Sequence, residues 1–193
     1  MRKFGLIHLG FRRSISLKMG VTTMTDLTML AELERKVLWL STWMIHNANH
    51  LRDNGDGLKV GGHQASSASL ATIMTALYFH ALRPEDRVAV KPHASPIFHA
   101  IQFLLGNLSR EKMENFRGYK GVQSYPSRTK DVDDVDFSTG SVGLGVAQTL
   151  FSSLVQDYVR TKGWKAGTPE GKMIALVGDA AHLNNPLGGF GMN

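Results

Sequence analysis

The chain of 193 residues contains no cysteine and no run of 18 or more apolar residues. The first absence excludes disulfide bonds, thiolate metal sites and cysteine nucleophiles. The second excludes a hydrophobic transmembrane helix. Because 42% of the residues are hydrophobic, the chain is able to bury a core as one domain or most of one. These features predict a globular cytoplasmic protein without membrane contacts.

Acidic residues are absent from residues 1–25, which carry five lysines and arginines. The rest of the chain has 17 basic and 16 acidic residues, so the net charge of +6 comes almost entirely from this segment. A charge confined to a tail argues against nucleic-acid binding. We interpret residues 1–25 as a disordered basic leader, or as translation from a start codon upstream of Met19 or Met24. The alternative is an organelle transit peptide, which would change the localisation.

Apolar residues recur at helical spacing from Leu27 to Met44, which predicts a helix over residues 26–49 with Asp26 as its N-cap. His46 and His50 lie four residues apart near its end, a spacing that can place two imidazoles on one face. The sequence offers no third ligand nearby, and histidines also suit the C-terminal dipole of a helix. We therefore do not interpret this pair as a metal site.

Two further histidines stand where a loop leads into a helix. His63 follows a glycine-rich loop and precedes a predicted helix over residues 67–82, whose serine-rich start could bind an anion. The alternative is a capped helix start with His63 on the surface. His93 follows a short predicted strand, Asp86–Val90, and precedes a helix that begins at Ser95-Pro96. The matching positions make His63 and His93 candidate functional residues.

A long polar loop, residues 117–138, connects two predicted helices, and loops of this length are often functional. We interpret its acidic cluster, residues 131–136, as a solvated face. The glycines of Gly140–Gly145 then open a helix that runs to about Lys162. Their order, GxxGxG, is the reverse of the dinucleotide fingerprint and no convincing strand precedes it, so a Rossmann site is excluded. They suit a helix N-terminus that packs closely under a ligand or another backbone.

The segment KMIALVGD, residues 172–179, predicts a buried strand followed by Gly178 and Asp179. Ligands of open α/β sheets lie beyond the carboxyl ends of the strands, where a glycine permits close approach and a carboxylate suits Mg²⁺. A plain turn is the alternative. Strands separated by helices predict an α/β fold with a parallel sheet flanked by helices.

Five segments occur in an order that resembles the N-terminal part of thiamine-diphosphate enzymes of the transketolase superfamily. The similarity is greatest to the homodimeric pyruvate dehydrogenase E1 component and its transketolase-like relatives, and it covers about residues 26–180. The segments are GGHQASSASLATIMTALYFHAL (61–82), KPHASPIFHAIQFLLG (91–106), QSYP (123–126), DFSTGSVGLG (136–145) and ALVGDA (175–180).

The resemblance implies the fold that binds the diphosphate side of thiamine diphosphate through Mg²⁺, and a 2-keto acid or ketose substrate. It implies that His63 and His93 line the active-site channel, where they transfer protons or polarise substrate oxygens. It places Ser124 and Tyr125 beside the cofactor. The glycines Gly143, Gly145 and Gly178 would lie near the cofactor, and Asp179 would bind Mg²⁺.

The sequence departs from the family pattern after Asp179, because Ala181 stands where the family has glutamate. The family's second metal ligand, usually asparagine, and its second domain, which supplies an activating glutamate across a dimer interface, are not found. We therefore expect a fold that is incomplete at the C-terminus, with residues 181–193 as an atypical tail. The expected function is the cofactor-binding part of such an enzyme, as a homodimer or paired with a chain that carries the second domain. The alternative is a non-catalytic remnant or interaction module of that enzyme.

Overall fold

A computed structural model describes residues 24–140 and 143–177 of the chain. Most of the predicted leader, the tail over residues 181–193 and the predicted site residues Gly178 and Asp179 lie outside these ranges. The helices and strands are α1 (Met24–His46), α2 (Gln64–Ala68), α3 (Ala71–Ala76), β1 (Arg87–Ala89), α4 (Ser95–Leu104), α5 (Arg110–Glu114), α6 (Leu144–Thr161) and β2 (Met173–Ala175).

The two strands pair in parallel, with Val88 opposite Ile174, so the prediction of an α/β protein with parallel strands is confirmed at this coarse level. Each strand has three residues and is shorter than the sequence predicts. On the other edge of β1, the backbone N–H of Val88 donates to the Asp136 carboxylate at 2.9 Å. A side chain of the 117–138 loop therefore satisfies a strand donor that another strand would otherwise take.

Helix α4 lies at the centre of the fold, and all but its last two residues are buried. Its second residue is a proline, which lacks a backbone N–H. The N–H groups of the first helical turn have no acceptor within the helix, so no helix hydrogen bond is lost. Ile97, Phe98 and Ile101 form one apolar core with residues of α1, α3 and β1. A second core lies between the end of α1 and the α5 region, around Met44 and Phe116. The loops before and after α4 are thereby fixed against the same helix.

Two predicted helices differ from the observed ones in detail. The first begins at Met24, two residues before the predicted cap Asp26, and ends in a π-helical turn, Asn47–Leu51. The second is divided into α2, α3 and a π-helical turn, Leu77–Ala81. At the division the Ser69 hydroxyl donates to the Ser66 carbonyl at 2.9 Å, a local bond that competes with regular helix hydrogen bonding.

The helices that the structure describes include none that is long and apolar enough to cross a membrane.

Candidate functional site

The structure brings His63 and His93 together. Their rings stack with centroids 4.1 Å apart and planes inclined by 23°. His63 is the residue before α2 and has a left-handed backbone (φ 52°), whereas His93 lies in a single 3₁₀ turn, Pro92–Ala94, between β1 and α4. The two loops that the sequence singled out therefore meet, although 29 residues separate the histidines.

The glycine turn before His63 is held against the end of α1. The Gly61 N–H donates to the Asn49 side-chain oxygen, and the Asn49 amide donates back to the Gly61 carbonyl, both at 2.9 Å. A Cβ at Gly62 would lie 2.6 Å from the Ile45 side chain, closer than two carbons can approach. Glycine at position 62 therefore lets the turn pack directly on α1, which sets the position of His63.

Two adjoining cavities share the loop that begins at Gln123. The larger has a volume of about 500 Å³ and is lined by Val60, His63, Arg117, Gly118, Gln123, Ser124 and Tyr125. The smaller, about 330 Å³, is lined by Gln123, Ser124, Tyr125, Pro126, Ser127, Lys130, Ser138, Thr139 and Gly140. Ser124 and Tyr125, both predicted from the sequence, line the two cavities, and Tyr125 is 45% exposed.

The surroundings of both histidines lower the imidazole pKa and so favour the neutral ring. Burial lowers the pKa of His63 below 6.5, and the charges of Arg117 and Lys91 lower it further. Burial also lowers the pKa of His93, with added effects from His63, Lys91 and Arg117. A neutral imidazole has one nitrogen that accepts and one that donates, so each ring is able to take or supply a proton in the cavity.

The acidic cluster of the 117–138 loop is not a solvated face, and that interpretation is wrong for three of its four members. Asp133 is buried and Asp136 binds the edge of β1. The Asp131 carboxylate accepts the N–H groups of Gln123 at 2.8 Å and Ser127 at 2.7 Å, while burial raises its pKa. Asp131 therefore shapes the turn that carries Ser124 and Tyr125.

A buried histidine of α4, His99, also holds the 117–138 loop in place. Its Nδ1 lies 2.6 Å from an Asp133 carboxylate oxygen and its Nε2 lies 2.8 Å from the Gln123 carbonyl oxygen. Neither His99 nor the Asp133 side chain is exposed to solvent. Both ring nitrogens therefore lie within hydrogen-bond distance of oxygen atoms of the 117–138 loop, which ties that loop to α4.

The sequence analysis missed His99 and Arg117. A signal for His99 was present, because a histidine inside the otherwise apolar segment IFHAIQFLL requires a buried hydrogen-bond partner, and the acidic loop follows in the sequence. For Arg117 the sequence has no comparable signal, since a single arginine after a short helix is most often a surface residue.

The glycines at the start of α6 have backbone and packing roles in the structure. Gly143 precedes the helix with φ 78°, a conformation that favours glycine. A Cβ at Gly145 would lie 3.3 Å from the Ala89 and Thr139 side chains, so this glycine brings α6 close to β1. Neither is among the residues that line the two cavities. Their predicted contact with a cofactor therefore stays a prediction.

The residues proposed for a metal are only partly described. Asp179 and Gly178 lie outside the described ranges. His46 and His50 stack with centroids 4.9 Å apart, as their spacing allows. Within residues 24–140 and 143–177, no three histidine, aspartate or glutamate side chains are arranged to hold a metal ion.

Comparison with known proteins gives a consistent set of relatives, although no protein-family model matches the chain. The pyruvate dehydrogenase E1 component of Cupriavidus necator is 35% identical over 145 residues, which are 69% of this chain and 16% of that protein. The E1 components of Escherichia coli K12 and Pseudomonas aeruginosa are 33% and 35% identical over 77% and 76% of this chain. The chain spans 18% and 17% of those two proteins. The family resemblance predicted from the ordered segments is confirmed, and over this part the chain is a relative of the pyruvate dehydrogenase E1 component.

Proposed function

We propose that the chain is the thiamine-diphosphate- and Mg²⁺-binding part of a 2-keto acid dehydrogenase E1, or of a transketolase-like enzyme. The observation that carries this proposal is the stacked pair of His63 and His93 beside a cavity that Ser124 and Tyr125 also line. The relationship to E1 components supplies the reaction class.

The cofactor, when bound, supplies a carbon nucleophile that adds to a 2-keto carbon and accepts the electrons released by cleavage. The residues of this chain would bind substrate and move protons around that centre. His63 and His93 would donate to or accept from the substrate oxygens. Ser124 and Tyr125 would contact the cofactor.

The smaller cavity is chemically suited to a phosphorylated group. It has the Lys130 ammonium and the hydroxyl groups of Ser127 and Ser138 in its lining, and hydroxyls and cations are the common ligands of phosphate oxygens. The Thr139 hydroxyl donates to the Val90 carbonyl at 2.7 Å, which fixes this wall to the end of β1. Asp179, four residues beyond β2, remains the proposed Mg²⁺ ligand.

The proposal is tested by the melting temperature of the purified chain with and without millimolar thiamine diphosphate and Mg²⁺. A ligand at 100 times its Kd adds about 2.7 kcal/mol to the unfolding free energy, which is a shift of several degrees for a chain of this size. Asp179→Asn is expected to remove the Mg²⁺-dependent part of the shift, whereas His63→Ala is expected to retain it. If neither ligand nor metal changes the melting temperature, the proposed cofactor site is wrong.

The remaining parts of the proposal concern the assembly. The activity would require a homodimer or a partner chain that supplies the second domain. The protein would act in the cytoplasm, or in an organelle if residues 1–25 are a transit peptide.

A second candidate function is that of a non-catalytic module that associates with such an enzyme. The observation in its favour is the apolar side of α6, where Leu150, Phe151, Leu154, Val155 and Tyr158 are each more than half exposed. An exposed apolar stripe of this length is typical of an interaction surface. Light scattering after gel filtration tests it, because Phe151→Asp should abolish association if this surface mediates it, and unchanged behaviour contradicts it.

A further inference from the structure

Arg117 is a cation without a complete set of partners in the wall of the larger cavity. Its Nη1 donates to the Val60 carbonyl. Its Nε is buried and has no hydrogen-bond partner among the described residues. The guanidinium also lies over the Phe116 ring, 5.3 Å from the centroid, and the residue has a left-handed backbone with φ 58°. The guanidinium has five N–H donors, and the Val60 carbonyl is the one acceptor that the described residues offer them, so the part of the group that lines the cavity keeps donors for a ligand.

The charge of Arg117 is also uncompensated. Burial lowers its pKa, and Tyr125 is the ionisable group that raises it. None of the ion pairs formed by the described residues includes Arg117. The nearby Lys91 adds a second positive charge, because both Lys91 and Arg117 lower the pKa of His63. Arg117 lines the larger cavity, whose described lining residues include no carboxylate, so the cavity presents a positive group to an anion that enters it.

We propose that Arg117 binds the carboxylate of the substrate, a small 2-keto acid, and thereby places the keto carbon beside His63. A carboxylate matches the planar guanidinium, which is able to donate two parallel hydrogen bonds to it. A diphosphate carries more negative charge than this single arginine offers, and Lys130 with its neighbouring hydroxyls faces the other cavity. The identity of the anion as a keto acid rests on the proposed function, whereas the anion site itself rests on the geometry of Arg117.

The test is an NMR titration of the isotope-labelled chain with pyruvate, in the presence and absence of thiamine diphosphate and Mg²⁺. Arg117→Gln removes the charge, Arg117→Lys keeps the charge without the planar fork, and Arg110→Gln is the matched control because Arg110 pairs with Glu114 on the surface. Methyl pyruvate, which lacks the negative charge, is the ligand control. The melting temperature and amide spectrum of each variant report whether it folds.

We expect Arg117→Gln to weaken pyruvate binding by about 10- to 100-fold, the loss typical of a hydrogen bond to a charged group. Arg117→Lys should recover part of that loss, and binding of methyl pyruvate should be the same in all variants. If Arg117→Gln does not fold, the folded Arg117→Lys variant should still bind pyruvate more weakly than the Arg110→Gln control.

Three outcomes would overturn the inference: no pyruvate binding by the unmodified chain, equal binding by Arg117→Gln, or complete displacement of pyruvate by inorganic diphosphate. The third outcome would assign Arg117 to a phosphate. Failure of the proposed function is seen separately, as the absence of a melting shift with thiamine diphosphate. If the chain binds pyruvate through Arg117 but thiamine diphosphate does not change its melting temperature, the anion site is supported and the proposed function is wrong.

Discussion

Asp86→Asn is expected to destabilise the protein where the two strands begin. Asp86 is buried directly before β1. Its carboxylate accepts the backbone N–H of Arg83 at 3.0 Å, the Arg83 guanidinium at 3.0 Å and the backbone N–H of Lys172 at 2.7 Å. Lys172 precedes β2, so one carboxylate joins the starts of both strands. Strand β1 leads to the turn that contains His93, so Asp86 lies at the base of an element that carries part of the proposed site.

The expected loss of unfolding free energy follows from the pKa of the Asp86 carboxyl. Burial alone raises the pKa of Asp86, but the hydrogen bonds from Arg83 and Lys172 outweigh it and lower the pKa from 3.8 to about 2. A difference of that size between the unfolded and folded chain stabilises the fold by about 2 kcal/mol at neutral pH. Because the folded pKa is the lower one, this stabilisation is complete well above pH 3.8 and is lost as the pH falls towards 2.

The assay is urea denaturation followed by circular dichroism between pH 7 and pH 3. At pH 7 Asp86→Asn should lower the unfolding free energy by about 2 kcal/mol or somewhat more, since its amide N–H₂ also meets backbone donors, and the melting temperature by about 4–8 °C. The difference from the unmodified chain should shrink as the pH falls. Asp157→Asn is the control, because its ion pair with Arg160 is exposed and contributes little. Equal midpoints for Asp86→Asn and Asp157→Asn at pH 7, or a difference that is independent of pH, would refute the reasoning.

Two further predictions concern the site. His99→Gln removes the ring that pairs with the buried Asp133 carboxylate and should cost about 3–5 kcal/mol of unfolding free energy, measured by urea denaturation against His80→Gln, an exposed position. Similar midpoints for the two variants would contradict the buried pair. Arg117→Gln removes a cation that lowers the pKa of His63, so NMR titration of the histidine protons should give a higher pKa for His63, with a smaller rise for His93. An unchanged His63 titration would show that Arg117 does not act on that ring.

Much of the organisation follows from local sequence signals. The apolar spacing of α1, the Ser95-Pro96 start of α4 and the runs around Val88 and Ile174 predict helices and parallel strands that the structure contains. The same local features place His63 and His93 in loops that precede helices. The ordered segments further indicate the family. These inferences succeed because each depends on neighbours within one or two turns of the chain.

Only the tertiary structure decides how the loops meet. In the folded chain His63 stacks on His93. Arg117 donates to Val60, 57 residues earlier in the sequence, and Asp133 pairs with His99, 34 residues earlier. The interpretation of the acidic cluster as a solvated face failed for this reason. An aspartate is exposed or buried according to what packs over it, and here α4 presents a histidine to the loop. The sequence by itself therefore determined which residues stand at the ends of strands and helices, whereas packing around α4 determined which of them share a cavity and which charges are buried.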